Sequence, residues 1–204
     1  MKSPAEWVEI LTSGGVRAET AARWMDSFSA EILAASFSLG TAEIDDFLAN
    51  ILHESGRLEH LEEGLSYSAE RLCAVWPGRF PTLEAAQPYA RRPVELANKV
   101  YGGRLGNTHP GDGWKYRGSG LIQVTGRANF AFLQEATGLA LLDNPDILRR
   151  PGPEALAVAV AWWEGKVPDS VIGNVRLTRR AVNGGENGLA DVAGLTDRLG
   201  GVVA

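Results

Sequence analysis

The sequence has only one cysteine, Cys73, among its 204 residues. One thiol cannot form a disulfide within the chain, and it cannot supply the cysteine cluster of a structural zinc site. The fold must therefore be stable without covalent cross-links, which is compatible with a reducing compartment. We expect no cofactor and no metal ion, because His53-Glu54 lacks the second histidine, one helical turn later, that a zinc-binding helix needs.

The chain also lacks a long apolar run and an excess of positive charge. No apolar run approaches the roughly 20 residues of a membrane span, and the N-terminal residues lack the apolar core of a secretory signal. The formal net charge of −5 argues against nucleic acid, or an anionic membrane, as a partner held by a general positive field. We therefore expect synthesis in the cytoplasm without stable membrane insertion, so that a target outside the cytoplasm must be reached by another route.

Apolar residues are plentiful, and their spacing is mostly helical. They make up 45% of the chain, which is ample for the core of one domain or of two lobes that share a core. The spacing predicts a mainly α fold, in which the helices between 68 and 101 could form a small lobe. The predicted helices cover 4–12, 18–39, the segment from a cap at Thr41 to about Gly56, 68–76, 94–101, 127–136, 153–163, 170–183 and the residues from 188 onward.

Glycine is concentrated between Gly102 and Gly126. Such density disfavours a helix and suits a loop whose backbone packs close to a ligand. Within this segment, the alternation over Leu121–Thr125 predicts one short strand, the most β structure that we expect. The glycine pairs lack the third glycine and the preceding strand of a dinucleotide site.

Two glutamates follow one another at the end of an amphipathic helix. Glu54 falls at the edge of the apolar stripe, where a charged carboxylate is poorly solvated, so we expect its neutral form to be favoured. Gly56 stops the helix, and Glu63 lies on the next loop, nine residues after Glu54. Two carboxyl groups in different surroundings are what glycoside hydrolysis needs, one as an acid and the other as a base or nucleophile. The stripe consists of Ile44, Phe47, Leu48, Ile51 and Leu52.

The glutamate pair alone is a weak signal, because most glutamate clusters are solvated surface. Further motifs follow in order between residues 53 and 200, and together they resemble the pattern of glycoside hydrolase family 19, which includes plant-type chitinases and a group of phage endolysins. The short spacing between the glutamates, the run Gly111–Arg117 and the lack of cysteines resemble the endolysin branch. The motifs are His53-Glu54, Glu63, Tyr116–Phe130, Val182-Asn183-Gly184-Gly185 and Asp197-Arg198-Leu199-Gly200.

The resemblance implies a lysozyme-like, family 19 chitinase-like helical fold and a role for each matching residue. Glu54 would be the general acid and Glu63 the general base, while the Thr125 hydroxyl would help to hold the attacking water. Glu62 is a rival for the base because it neighbours Glu63. Substrate-binding roles would fall to Tyr67, Tyr116, Gln123, Asn129, Asn183 and Arg198, the last as an electrostatic orienting group.

The chain departs from the family pattern at one position. Ser119 stands where the family has the arginine of its Gly-Arg-Gly segment, and Arg117 precedes Gly118 instead, which leaves the role of that arginine open. Elsewhere, Trp162-Trp163 is predicted to lie in the core and Arg179-Arg180 on a solvated face.

We expect a single catalytic domain over residues 1–204, without a separate wall-binding module, that acts as a monomer on peptidoglycan. It would hydrolyse β-1,4 glycosidic bonds with inversion, as an endolysin that reaches the cell wall at lysis. Three alternatives remain open: a chitinase of the same fold, a non-catalytic wall-binding protein, and a retaining hydrolase with Glu63 as its nucleophile.

Overall fold

The computed structural model describes residues 2–28 and 36–201. Within these ranges the chain forms helices joined by loops and short 3₁₀ turns, and β pairing is limited to isolated bridges from Ser119 to Glu62 and to Val124. None of the helices in these ranges is long and apolar enough to cross a membrane. The helices are α1 (Pro4–Ser13), α2 (Ala18–Trp24), α3 (Ile44–Glu54), α4 (Ala69–Val75), α5 (Leu83–Ala86), α6 (Pro93–Tyr101), α7 (Asp112–Lys115), α8 (Arg127–Thr137), α9 (Pro153–Lys166), α10 (Val175–Asn183) and α11 (Leu189–Leu199).

Helix α3 lies at the centre of the main core. Its apolar stripe is buried, as the spacing predicts, and the helix packs against α10 and α11. The ring of Phe47 contacts Phe37 and Trp163 at centroid distances of 5.0 and 5.6 Å. Trp163 also donates its Nε1 hydrogen to the buried Glu43 carboxylate at 3.0 Å. Because α3 is held on several sides, its last residue, Glu54, has a fixed position at the edge of the core.

Residues 65–101 pack around a second apolar cluster, and we call this segment the small lobe. Its first helix, α4, begins at the predicted cap, since Ser68 Oγ accepts a hydrogen bond from the Arg71 amide at 3.3 Å. A third cluster lies beside the glycine-rich segment and includes Tyr116 and Phe130. The buried side chains of the small lobe are Leu65, Ala69, Leu72, Phe80, Ala86, Leu96, Ala97 and Val100.

Two predicted helices, the one over 18–39 and the one that follows Thr41, have different bounds in the structure. The helix predicted over 18–39 ends at Trp24, where the chain turns and the Ser27 amide bonds the Trp24 carbonyl at 2.9 Å; residues 29–35 lie outside the described ranges. Thr41 does not cap α3, because Gly40–Glu43 forms a 3₁₀ turn first. The Glu43 carboxylate accepts the Leu39 amide at 3.0 Å, which stabilises this tighter winding.

Backbone conformation explains two further differences. Leu121–Thr125 is not a strand, because Gln123 has a φ of 52° and a strand requires negative φ. The helix predicted from Ser170 begins only at Val175, after Gly173 with a φ of 81°. The Asn174 side chain then caps α10 by accepting the Leu177 amide at 3.2 Å.

Candidate active site

Glu54 is the last residue of α3, and its partner is a buried cation. Arg179 of α10 places Nη1 2.6 Å from Glu54 Oε1, and the two side chains are 3% and 27% exposed. Further contacts fix Arg179: its Nε donates to the Asn187 carbonyl at 2.6 Å, and its Nη1 donates to Asn50 Oδ1 at 3.3 Å. Glu54 therefore has a cationic partner that the sequence did not predict, and the expectation that Arg179 lies on a solvated face is wrong.

The residue before Glu54 ties α3 to α11. His53 Nδ1 lies 2.7 Å from Asp191 Oδ2, and Arg57 donates to both oxygens of the same carboxylate at 2.6 and 3.0 Å. These contacts, with that of Arg57 the largest, lower the pKa of Asp191 to about 2. Gly188 packs its backbone directly against the His53 ring. The clasp formed by His53, Arg57 and Asp191 thus fixes the end of the helix that carries Glu54.

Glu63 is partly buried and is held by neutral donors. Its Oε1 accepts the Tyr101 hydroxyl at 2.5 Å, and its Oε2 accepts the Gly118 amide at 3.3 Å. The Glu63 amide in turn donates to the Gly118 carbonyl at 2.9 Å. Burial, and then the hydrogen bond to Glu63, raise the pKa of Tyr101 far above its usual value, so its hydroxyl stays protonated. Glu63 therefore connects the small lobe with the glycine-rich segment.

Glu62 has different partners from Glu63. Its Oε1 accepts Arg117 Nε at 2.6 Å, and the Arg117 guanidinium stacks 3.7 Å from the centroid of the Trp114 ring. Within the described residues Glu63 has no cationic partner. Glu62 therefore pairs with a cation, whereas Glu63 accepts hydrogen bonds from neutral donors.

Three predicted site residues form a chain of hydrogen bonds that begins beside Glu63. A Cβ on Gly118 would lie 2.9 Å from both Gln123 Oε1 and the Glu63 Cβ, so Gln123 and Glu63 flank this glycine. Thr125 Oγ1 donates to the Gln123 carbonyl at 3.0 Å, and Asn129 Nδ2 donates to the Thr125 carbonyl at 2.8 Å. The structure thus brings Gln123, Thr125 and Asn129 to one edge of the glycine-rich segment.

Tyr116 is a core residue. Its side chain is fully buried, its hydroxyl donates to the Leu142 carbonyl at 3.0 Å, and its ring packs on Phe130 with 5.2 Å between centroids. No part of this side chain is exposed to contact a sugar, which contradicts the substrate-binding role implied for Tyr116.

Arg198 does not belong to the contacts around Glu54. It is exposed near the C-terminal end of α11 and lines a surface groove with Glu6 and Glu9 of α1. The cation that meets Glu54 is Arg179, and the residue by which α11 meets α3 is Asp191. The arginine in contact with Glu54 is therefore Arg179 and not Arg198.

The remaining two predicted residues are Asn183, at the end of α10, and Tyr67, in the small lobe. Asn183 is exposed, but its amide is already engaged, since Nδ2 donates to the Asn187 carbonyl at 2.9 Å and Oδ1 accepts the Gly185 amide at 2.8 Å. Arg179 donates to the same Asn187 carbonyl. The turn that follows α10 is therefore connected to Glu54 through Arg179. Tyr67 is half-buried in the small lobe, where its ring contacts Trp76 at 5.5 Å.

A buried guanidinium lies beside Ser119, at the position where the chain departs from the family pattern. Ser119 Oγ donates to the Arg117 carbonyl at 2.7 Å and accepts Arg149 Nε at 2.9 Å. Burial, and then the positive charge of Arg117, lower the pKa of Arg149 to about 10. Arg149 comes from the 3₁₀ turn Pro145–Arg149, so a distant segment supplies an arginine next to Ser119.

Sequence reasoning missed Tyr101, Arg179 and Asp191. A signal existed for Arg179, because it lies four residues before Asn183 and therefore on the same helical face as a predicted site residue. Tyr101 gave no such signal, since its partner is 38 residues away. Among the described residues no group of three or more His, Cys, Asp or Glu side chains is arranged to hold a metal ion.

Comparisons with known proteins identify the family. No protein-family model matches the chain. A glycosyl hydrolase family 19 domain-containing protein of Haemophilus influenzae is 38% identical over 146 residues, which are 70% of this chain and 71% of that protein. An endochitinase of Arabidopsis thaliana is 34% identical over 74 residues, which are 36% of this chain and 26% of that protein.

Solved structures agree on the fold. Chitinase C from Streptomyces griseus is 18% identical and superposes with a TM-score of 0.59, covering 98% of this chain and 76% of that one. A bacterial family 19 chitinase is 20% identical and gives a TM-score of 0.54 over 97% and 94% of the two chains. The expected mainly α, family 19 chitinase-like fold is thus confirmed. The chain belongs to glycosyl hydrolase family 19 and is a glycoside hydrolase.

Proposed function

We propose that this glycoside hydrolase is a phage-type endolysin, which cleaves β-1,4 bonds of peptidoglycan with inversion at the anomeric carbon. The contrast between its two carboxylates carries the catalytic part: Glu54 faces a buried cation, whereas Glu63 faces neutral donors. The different partners separate the two carboxylates, as a reaction with one acid and one base requires. Because a cation favours the charged form of a neighbouring carboxylate, the choice of Glu54 as the acid rests on the family resemblance. The choice of peptidoglycan rests on the glutamate spacing and the run Gly111–Arg117, which resemble endolysins.

In the proposed reaction, protonated Glu54 donates its proton to the glycosidic oxygen as the bond to the anomeric carbon breaks. A water on the opposite face of the sugar attacks that carbon, and Glu63 accepts the proton that the water loses. Thr125 helps to hold the water. Inversion requires room for this water, which is met when the carboxyl groups lie roughly 6.5–9.5 Å apart.

The ion pair between Glu54 and Arg179 places a condition on this reaction. A carboxyl group that donates its proton to the glycan cannot remain a full partner of the guanidinium. Substrate binding must therefore weaken that contact or share it with a sugar oxygen. The proposal further includes a monomer that is made in the host cytoplasm and reaches the wall at lysis.

A chitinase is the second candidate, because two solved structures with this fold are named chitinases. Purified sacculi and colloidal chitin, digested side by side and followed by release of reducing ends and mass spectrometry of the products, separate the two. We expect faster release from sacculi. Faster release from chitin would overturn the choice of substrate but leave the hydrolase in place.

Variants test the roles of the two glutamates. Glu54→Gln and Glu63→Gln should each lower the rate at least ~100-fold, because each removes a proton-transfer group. Glu135→Gln changes an exposed glutamate of α8 and serves as the control with unchanged rate. Unchanged lysis by Glu54→Gln would indicate a non-catalytic wall-binding protein. Retention of the anomeric form in the first product would instead make Glu63 a nucleophile.

A further inference from the structure

Tyr101 joins the small lobe to the carboxylate of Glu63. It is the last residue of α6, a helix whose buried face packs into the small-lobe cluster, and its half-buried ring directs the hydroxyl at Glu63 Oε1 over 2.5 Å. A hydrogen bond of this length to a carboxylate belongs to the short, charge-assisted class.

The backbone of Tyr101 is fixed independently of Glu63. Asn107, which is 1% exposed, donates Nδ2 to the Tyr101 carbonyl at 3.0 Å. Its Oδ1 accepts the Arg127 amide at 2.8 Å, so one buried side chain links the end of α6 to the start of α8. The tyrosine hydroxyl is therefore held in place before any substrate arrives.

The two oxygens of Glu63 differ because of this contact. Oε1 is occupied by the tyrosine hydroxyl, whereas Oε2 has only the longer contact of 3.3 Å with the Gly118 amide. Because a hydrogen bond of 3.3 Å is weaker than one of 2.5 Å, Oε2 is the less saturated acceptor and can accept a bond from a water. Since Tyr101 stays protonated, it donates to Glu63 at every pH at which an ionised base is useful.

We propose that Tyr101 is a positioning residue for the base: it fixes Oε1 of Glu63 and thereby presents Oε2 to the water that attacks the sugar. This proposal rests on the proposed role of Glu63. Tyr101 does not touch the substrate, and it acts through the carboxylate.

Tyr101→Phe, compared with Tyr89→Phe, tests the proposal. Tyr89 also belongs to the small lobe, its ring contacts Phe80 at 5.4 Å, and among the described residues no hydrogen bond to its hydroxyl is present. We expect Tyr101→Phe to lower kcat about 10–100-fold, as for the loss of one charge-assisted hydrogen bond, with little change in KM. The acid limb of its kcat profile should move to higher pH, because the carboxylate loses a donor that favours its charged form. Tyr89→Phe should behave as wild type.

A spectroscopic measurement covers the case in which Tyr101→Phe does not fold. In Glu63→Gln the pKa of Tyr101, followed by ultraviolet titration of tyrosine, should fall. Burial, the larger cause, keeps this pKa above its usual value, but the hydrogen bond to a charged acceptor is gone. An unchanged titration overturns the proposal. So do equal kinetics for Tyr101→Phe and Tyr89→Phe, while the hydrolase function then stands. A wild-type protein that cleaves neither glycan overturns both the function and the role of Tyr101.

Discussion

Gly188 and His53 are in such close contact that a Cβ at residue 188 would lie 2.1 Å from His53 Nε2. The glycine also has a φ of 76°, which disfavours any side chain. Because His53 is bonded to Asp191 and directly precedes Glu54, the glycine backbone forms one wall of the clasp that fixes the proposed acid.

A comparison of Gly188→Ala with Gly184→Ala distinguishes the steric clash with His53 from the backbone strain of a positive φ. Gly184 has a similar φ of 75°, but a Cβ there would meet nothing within 4 Å. We expect Gly184→Ala to lower the free energy of unfolding by about 1–2 kcal/mol. Gly188→Ala should lose about 1–3 kcal/mol more, the range for overpacking, and should also lose hydrolysis. Equal unfolding curves in urea for the two variants would contradict the close packing on His53.

Arg179→Ala should impair both stability and catalysis. The change removes a buried guanidinium and leaves Glu54 without its cation, so we expect a loss of about 2–3 kcal/mol in unfolding free energy and at least a ~10-fold lower rate. Arg180→Ala is the matched control, because its side chain is 54% exposed and pairs with Glu186 at the surface. Such exposed pairs contribute at most about 1 kcal/mol. Similar losses for both variants, in calorimetry and in glycan release, would count against the role of Arg179.

Gly118→Ala should affect catalysis more than stability. A Cβ there would lie 2.9 Å from the Glu63 Cβ and 3.1 Å from Glu63 Oε2, so the carboxylate must move. A displacement of this kind can cost ~100-fold in rate. Gly78→Ala, where a Cβ meets nothing within 4 Å, is the control. Steady-state kinetics with normal rates for Gly118→Ala would show that the position of Glu63 does not matter.

Asp191 makes the stability depend on acid pH. Its pKa is lowered from 3.8 to about 2 in the folded protein, so the stability it contributes is present above pH 3.8 and is lost as the pH falls towards 2. Urea unfolding of wild type and Asp191→Asn should therefore differ at neutral pH, and the difference should shrink between pH 4 and pH 2. The exposed Asp143→Asn should show no such convergence. A constant gap for Asp191→Asn would contradict the clasp.

Local patterns were sufficient for most of the helices and for the placement of Glu54. The apolar stripe of α3 and the Ser68 cap of α4 depend on neighbours in sequence, and both are present. The failed strand at Leu121–Thr125 depends on the φ of Gln123, which alternation does not encode.

The chemistry around the glutamates could not be predicted, because it depends on tertiary contacts. Arg179 and Arg180 are adjacent and chemically identical, yet the packing of α10 on α3 buries the first and exposes the second. Tyr116 lies in a motif that resembles a sugar-binding segment, but the third apolar cluster encloses it. Only the folded chain distinguishes such residues.

Tyr101 and Arg179 also determine how the two carboxylates respond to motion. Glu54 is anchored to the main core through α10, whereas Glu63 is anchored to the small lobe through α6. Their separation therefore depends on how the small lobe is held against the main core. A pair of fluorescent labels, one on each side of this connection, would test whether the separation of the two carboxylates changes when a glycan binds.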